Sequence, residues 1–240
     1  MEEKIGTKDL IKKIFLEYKI ELEKEEVEKF ENFLNIFIDK NSQINLSAIR
    51  KPEDIILKHF LDSIILNIFV EFEENAKVLD MWTGWGFPLI PLAIINPEIK
   101  FTWVDSVWKK LKAVEEFSKE LWLENISTIN SRAEDLWQDL NHRESYDYVV
   151  SRATAYFPVL LEYVIPLLKV GWIFCAYKLD DKEELKSIKK ALTRLWAKIM
   201  KVKNYEIEEQ KRVIVFIEKI KKTNKKYPRT VWIPLTKPIV

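Results

Sequence analysis

The chain is 240 residues long, 48% hydrophobic and 32% charged, enough for one α/β domain with a smaller appendage and a core of its own, not a disordered segment. No apolar run reaches the length of a membrane span, residues 1–13 lack the layout of a leader peptide, and the single Cys175 excludes an internal disulfide or a cysteine cluster for zinc, so a cytoplasmic, metal-free protein is expected. Net charge is only +1, but residues 219–240 carry +7 with no acid and leave −6 on residues 1–218, an asymmetry that points to a polyanion contact on one face.

Residues 8–72 read as helical, with Leu10, Ile11, Ile14 and Phe15 and then Val27, Phe30, Leu34 and Phe37 recurring at three- and four-residue spacing. The polar stretch 41–54 interrupts the pattern, and Pro52 followed by Glu53 and Asp54 opens a further helix that carries His59 and Asp62. Residues 1–75 are therefore expected to form an N-terminal helical module. From Ala76 the pattern becomes alternating strand and helix. Strands are expected at 77–81, 100–104, 126–130, 147–150, 171–177, 198–204 and 212–218, with helices at 89–95, 107–121, 155–168 and 181–195. Short connections between such units predict a doubly wound, seven-stranded, mostly parallel sheet over residues 76–220. The acidic link 205–211 between the last two strands predicts a hairpin, hence an antiparallel last strand, the methyltransferase variant of a Rossmann-like fold. Residues 221–240 form a basic tail.

In an open α/β sheet the ligand lies beyond the carboxyl ends of the strands, nearest the first βα turn. That turn is Leu79-Asp80-Met81-Trp82-Thr83-Gly84-Trp85-Gly86-Phe87-Pro88. Asp105 ends the second strand, where a carboxylate can accept hydrogen bonds from both ribose hydroxyls, and Ser131-Arg132-Ala133-Glu134-Asp135 follows the third, where adenine contacts are expected. Taken singly, Asp105 and Glu134 are also readable as helix caps, the lesser reading. A dinucleotide would require a third glycine to seat its pyrophosphate, and Pro88 stands there instead, so S-adenosylmethionine fits the loop better than NAD.

These motifs, with "INLSAIR", "KHFLDS", "VDSVWKK", "VVSRA", "LLKVGWIFCAYK" and "YPRTVWIPLTKP", make residues 25–238 similar to the RsmG (GidB) family of ribosomal RNA methyltransferases, which methylate a guanine N7 in small-subunit RNA. The resemblance implies a site for S-adenosylmethionine lined by Trp82 (a glycine in the family), Gly84, Gly86, Phe87, Asp105, Ala133, Glu134 and Arg152. Arg152 is also readable as a buried ion pair, and His59 and Asp62 match a family motif for which helix packing competes with catalysis. Guanine N7 offers its lone pair without losing a proton, so the implied chemistry is in-line positioning and no general base is nominated. The implied partner is small-subunit ribosomal RNA, free or in the assembled subunit, met by a monomer. Lys221, Lys222, Lys225, Lys226 and Arg229 would contact phosphates, and Tyr227 or Phe87 would stack on an extruded base. The same fold acting on another RNA or a small molecule, or a non-catalytic RNA-binding protein, are the alternatives.

The chain departs from that pattern in one way. It has four glycines where roughly 17 are usual, and nine tryptophans at 82, 85, 103, 108, 122, 137, 172, 196 and 232, each at a place where glycine would be unremarkable in the family. Trp122 follows the apolar stripe Leu111, Val114, Phe117 and Leu121 in the slot of a left-handed residue after a helix, and Trp196 repeats the case; an indole at Trp82 is expected to project into the cofactor space. Three accounts stand open: an altered or decayed protein, natural aromatic contacts to RNA, or UGA codons that the cell reads as glycine.

Overall fold

The computed structural model describes residues 5–82, 84–132, 136, 139, 141–152, 155–230 and 232–240. Two helices begin the chain, α1 (Thr7–Glu17) and α2 (Lys24–Ile44). The latter opens on a capping box in which the Glu26 carboxylate accepts the Glu23 backbone N–H at 2.7 Å. Helix α2 runs past the break expected at residue 41 because Asn41 turns inward. Its amide donates to the Ile49 carbonyl and its Oδ1 accepts the Ser47 N–H, which folds the following loop onto the helix. The helix then stops at left-handed Asn45, φ 52°.

Pro52 starts α3 (Pro52–Ile55), which continues through a π-helical segment, Ile56–Leu61, into α4 (Asp62–Ile64). Then come β1 (Lys77–Met81), α5 (Leu89–Ile95), β2 (Lys100–Asp105), α6 (Trp108–Glu120), β3 (Ile126–Asn130), β4 (Tyr146–Ser151), α7 (Phe157–Val164), β5 (Leu168–Leu179), α8 (Lys182–Ser187), α9 (Lys189–Leu195), β6 (Ala197–Ile207), β7 (Gln210–Lys219) and α10 (Ile233–Thr236). Three of the expected elements are corrected. The helix expected at 155–168 is α7 alone followed by a 3-10 turn at Ile165–Leu167, because Pro166 has no N–H to continue the ladder. The helix expected at 181–195 breaks at Ile188, just after the Ser187 hydroxyl bonds the Glu184 carbonyl. The link 205–211 is mostly strand: Ile207 pairs with Gln210, and only Glu208 and Glu209 turn.

The seven strands lie in the order β3-β2-β1-β4-β5-β7-β6. All pairs are parallel except those of β7, which is antiparallel to both β5 and β6. Strand order reverses between β1 and β4, so a crevice opens at that point on the carboxyl edge. Period-two alternation divides the core. Val78, Phe101, Val150 and Phe216 face the N-terminal helices, α5 and α6, whereas Leu79, Met81, Val149 and Val215 face α7 and α9. No helix among the described residues is long and apolar enough to cross a membrane.

An aromatic cluster joins the N-terminal helices to the first βα loop. Phe33 stacks on Phe60 at 4.9 Å, Phe37 meets Phe87 edge-on at 5.3 Å, and the His59 ring stacks on Phe87 at 4.6 Å. His59 is thereby held neutral: burial first, then the Arg152 and Arg212 charges, pull its pKa from 6.5 down to about 3. Its Nε2 pairs with the Ser47 hydroxyl at 2.9 Å.

The folded state resists protonating His59 while the unfolded chain does not, so this group's contribution to stability is complete above about pH 6.5 and is lost as pH falls towards about 3. A His59→Gln variant, which cannot titrate, is expected to lose stability less steeply across that window in denaturant unfolding. Equal slopes for the two proteins would refute the assignment.

Candidate active site at the carboxyl edge of the sheet

The loop after β1 is built on left-handed backbone. Trp82, Gly84 and Gly86 have φ of 64°, 67° and 95°. A Cβ on Gly86 would stand 2.6 Å from Ile90 Cδ1 and 3.3 Å from Val114 Cγ2, so the loop can lie on α5 and α6 only without a side chain there. Around Gly84 the space is open, with nothing within 4 Å of the equivalent position.

Across the loop, Asp105 ends β2 with its carboxylate nearly buried, accepting the Val107 N–H at 2.8 Å and standing 3.4 Å from Lys110 Nζ. The long second contact leaves Oδ2 with acceptor capacity of the kind a ribose diol uses. Asp105 is in register with Asn130 at the end of β3. Ala133 and Glu134, expected just beyond, lie outside the described residues.

Arg152, which the resemblance assigned to the cofactor and target face, stands immediately after β4 with its guanidinium 5.5 Å from the Phe87 ring centroid. It also forms the ion pair that was the alternative reading. Nη1 donates to Asp62 Oδ2 at 2.9 Å and to the Lys58 carbonyl at 3.2 Å. Asp62 is fully buried and accepts two more donors, Arg212 Nη1 at 2.6 Å and the Tyr205 hydroxyl at 2.8 Å. Burial and the Asp62 charge push the Tyr205 phenol far above its ordinary range, so it stays a donor. Two guanidinium groups therefore share one carboxylate, which leaves surplus positive charge.

Arg152 and Arg212 line a cavity of about 710 Å³ together with Tyr156, Tyr205 and Gln210, with Lys178, whose amine is paired with Glu184 at 2.7 Å, and with the acids Asp181 and Glu183. It lies on the β4–β5–β7 side of the switch point, opposite Asp105. Tyr156, Lys178, Tyr205 and Arg212 were not picked out from the sequence. No local signal marks them, because what unites them is the pairing of Leu179 with Arg212 across β5 and β7.

The basic tail is not free. Arg229 forks onto the fully buried Glu162, with Nη2–Oε2 at 2.7 Å and Nε–Oε1 at 2.9 Å, while Arg143 donates to the Thr223 and Tyr227 carbonyls. Lys221, Lys222, Lys225 and Lys226 are exposed and form no ion pair among the described residues. Tyr227 and Phe87, expected to stack on a base, are each only 5% exposed and already packed, so neither offers a face.

Whether these residues suit S-adenosylmethionine has a divided answer. The bare left-handed turn at Gly84 and Gly86 and the Asp105 carboxylate suit a nucleoside cofactor. Trp82 fits less well, since it puts an indole on the left-handed turn; its ring stands edge-on against the buried Tyr163 of α7 at 5.4 Å and packs on the core of that face. Thr83 lies outside the described residues.

Known proteins agree with this architecture. Among solved structures, an S-adenosylmethionine-dependent methyltransferase from Aquifex aeolicus superposes with a TM-score of 0.55 at 18% identity, covering 75% of this chain and 98% of that one. An O-methyltransferase of the same cofactor class from Thermotoga maritima gives 0.53 at 14% identity, over 79% and 73%. At those identities the likeness concerns the fold. Curated relatives named ribosomal RNA small subunit methyltransferase G reach further. The protein from Desulfitobacterium hafniense is 43% identical over 92% of both chains, and that from Fusobacterium nucleatum is 40% identical over 97% of this chain and 100% of its own. The family model described as rRNA small subunit methyltransferase G matches residues 26–215. With the fold, the loop and most of the chain in agreement, this protein belongs to the rRNA small subunit methyltransferase G (GidB) family of methyltransferases.

Proposed function

We propose that the protein methylates N7 of a guanine in small-subunit ribosomal RNA from S-adenosylmethionine, acting as a cytoplasmic monomer. The observation that carries this reading is the division of the carboxyl edge. A glycine-based turn and Asp105 lie on one side of the switch point, and a cavity holding the Arg212 guanidinium, Tyr156 and Tyr205 lies on the other, with Arg152 between them.

Gly84 and Gly86 form the floor of the cofactor side, with Phe87 packed behind them, position 82 at the rim, and Phe87, Ala133 and Glu134 assigned to the cofactor by resemblance. Asp105 takes the ribose hydroxyls, and Arg152 faces both cofactor and target. Bound S-adenosylmethionine supplies an electrophilic methyl group on a sulfonium. The chain's task is to hold the guanine lone pair in line with that methyl and to exclude water.

No side chain has to take a proton. His59 is consistent with this, since both its nitrogens face partners and its pKa of about 3 keeps it neutral. The cavity offers Tyr156 as an exposed ring and Arg212 as a guanidinium towards an extruded nucleotide. Lys221, Lys222, Lys225 and Lys226 would meet phosphates further along the RNA. Arg229, though counted with them from sequence, serves mainly to moor the tail through Glu162.

The reading is tested by incubating the native protein with labelled cofactor and undermethylated small subunits. Label at a guanine N7 is expected; label elsewhere would reassign the substrate, and none with tight RNA binding would favour a non-catalytic protein. Asp105→Asn is expected to weaken cofactor affinity by roughly tenfold, the loss of one charge-assisted hydrogen bond, without changing RNA affinity in a filter assay. Tyr156→Ala should do the reverse, raising KM for the RNA with cofactor binding intact. A matching loss of both affinities would mean that Tyr156 acts only through the fold.

A further inference from the structure

Four tryptophans hold backbone conformations that belong to glycine. Nine described non-glycine residues have positive φ: Lys19, Asn45, Asn75, Trp82, Trp122, Glu144, Trp196, Glu208 and Trp232. Such conformations occur in a few per cent of non-glycine residues, chiefly Asn and Asp, and a bulky residue there is an outlier. Tryptophan nevertheless supplies four of the nine.

Helix-end and turn geometry set the backbone at these positions, while the indoles have little or unspecific company: Trp82 meets Tyr163, Trp196 lies under the Lys221 amine, and Trp122 and Trp232 are mostly exposed. Helix α6 ends in a Schellman arrangement: Leu123 N–H reaches the Ser118 carbonyl at 2.9 Å and Trp122 N–H the Lys119 carbonyl at 3.2 Å. In that motif the residue at 122 must be left-handed, and glycine is the usual occupant. The Trp122 side chain is 85% exposed, so no burial offsets the strain. Trp196 ends α9 in a simpler left-handed cap, at φ 57°, with its N–H on the Leu192 and Thr193 carbonyls. Trp232 precedes α10 at φ 71° and is 62% exposed. Trp82 is the fourth, in the loop whose other left-handed members are Gly84 and Gly86.

We propose that positions 82, 122, 196 and 232 are glycine in the protein its own cell makes, encoded by UGA codons read as glycine. A single decoding rule exchanges the same pair of residues at every site at once. It accounts for four glycines beside nine tryptophans in 240 residues, which separate mutations or contacts to RNA do not. The backbone assigns only these four. Trp85, Trp103, Trp108 and Trp172 are not left-handed, Trp103 is fully buried in β2, and Trp137 lies outside the described residues.

The consequence for the site is direct. With no indole at 82, the left-handed positions 82, 84 and 86 all present bare backbone, and the ring contact with Tyr163 is absent.

Peptide mass spectrometry of the protein purified from its native cells, read against the gene, tests the proposal. Glycine masses and UGA codons are expected at the four positions; tryptophan masses or UGG codons there would overturn it. Recombinant chains add a physical arm. Trp122→Gly should raise the melting temperature by roughly 2–4 °C, and a fall would contradict the backbone argument. Trp82→Gly should convert weak or absent S-adenosylmethionine binding into saturable binding, and unchanged affinity would show that the indole is no obstacle. Glycine found at 82 in a native protein that still binds no cofactor would instead refute the methyltransferase reading and leave the residue assignment standing.

Discussion

The architecture of the site depends on one buried carboxylate. Asp62 comes from the N-terminal helices, Arg152 from the end of β4, and Arg212 and Tyr205 from the β6–β7 hairpin, and all meet with no solvent at the acid. A carboxylate in that position is tolerable only when several donors replace its water, and stripping one partner from such a set costs about 3–5 kcal/mol. The arrangement therefore sets the position of the helices relative to the sheet, and it aims two guanidinium groups at the carboxyl edge.

Around that anchor the helical module takes part in the site as well as in the core. Its aromatic side chains, with His59 and Phe60, close over Phe87, so the residue that follows the glycine turn is clamped from the N-terminal side while Arg152 covers its face. The turn after β1 is consequently fixed by two constraints of different kinds. Steric exclusion at Gly86 presses it against α5 and α6, and aromatic packing at Phe87 ties it to the helices. The β4–β5–β7 side is held by the hairpin, whose strands put Arg212 opposite Leu179 and close the cavity wall.

Backbone handedness is the second constraint. Schellman geometry after α6 and the turn after β1 both demand positive φ, and the chain satisfies that demand with glycine in one place and with tryptophan in another. Hydrogen bonds at helix ends are numerous enough to impose a left-handed residue whatever its side chain, which is why the strain is visible instead of relaxed away.

Much of this was legible in the linear chain. β1, β3 and α5 run over the very residues that periodicity assigned, and the left-handed slot at Trp122 was readable because a helix end depends only on its neighbours. The glycine turn and Asp105 were equally local, being tied to the ends of particular strands. What the sequence by itself determined was the order of elements, the glycine turn at the carboxyl edge and the left-handed slots at helix ends. Only tertiary structure decided the other side: that Asp62 would meet Arg212, 150 residues away, that Arg229 would be spent on Glu162 and Tyr227 buried, and that Arg152 would be shared between Asp62 and the face of Phe87. The physical reason is range. Dihedral preference, turn chemistry and hydrophobic period act over a few residues, whereas a buried charge selects its partners from whatever the folded topology brings within about 3 Å.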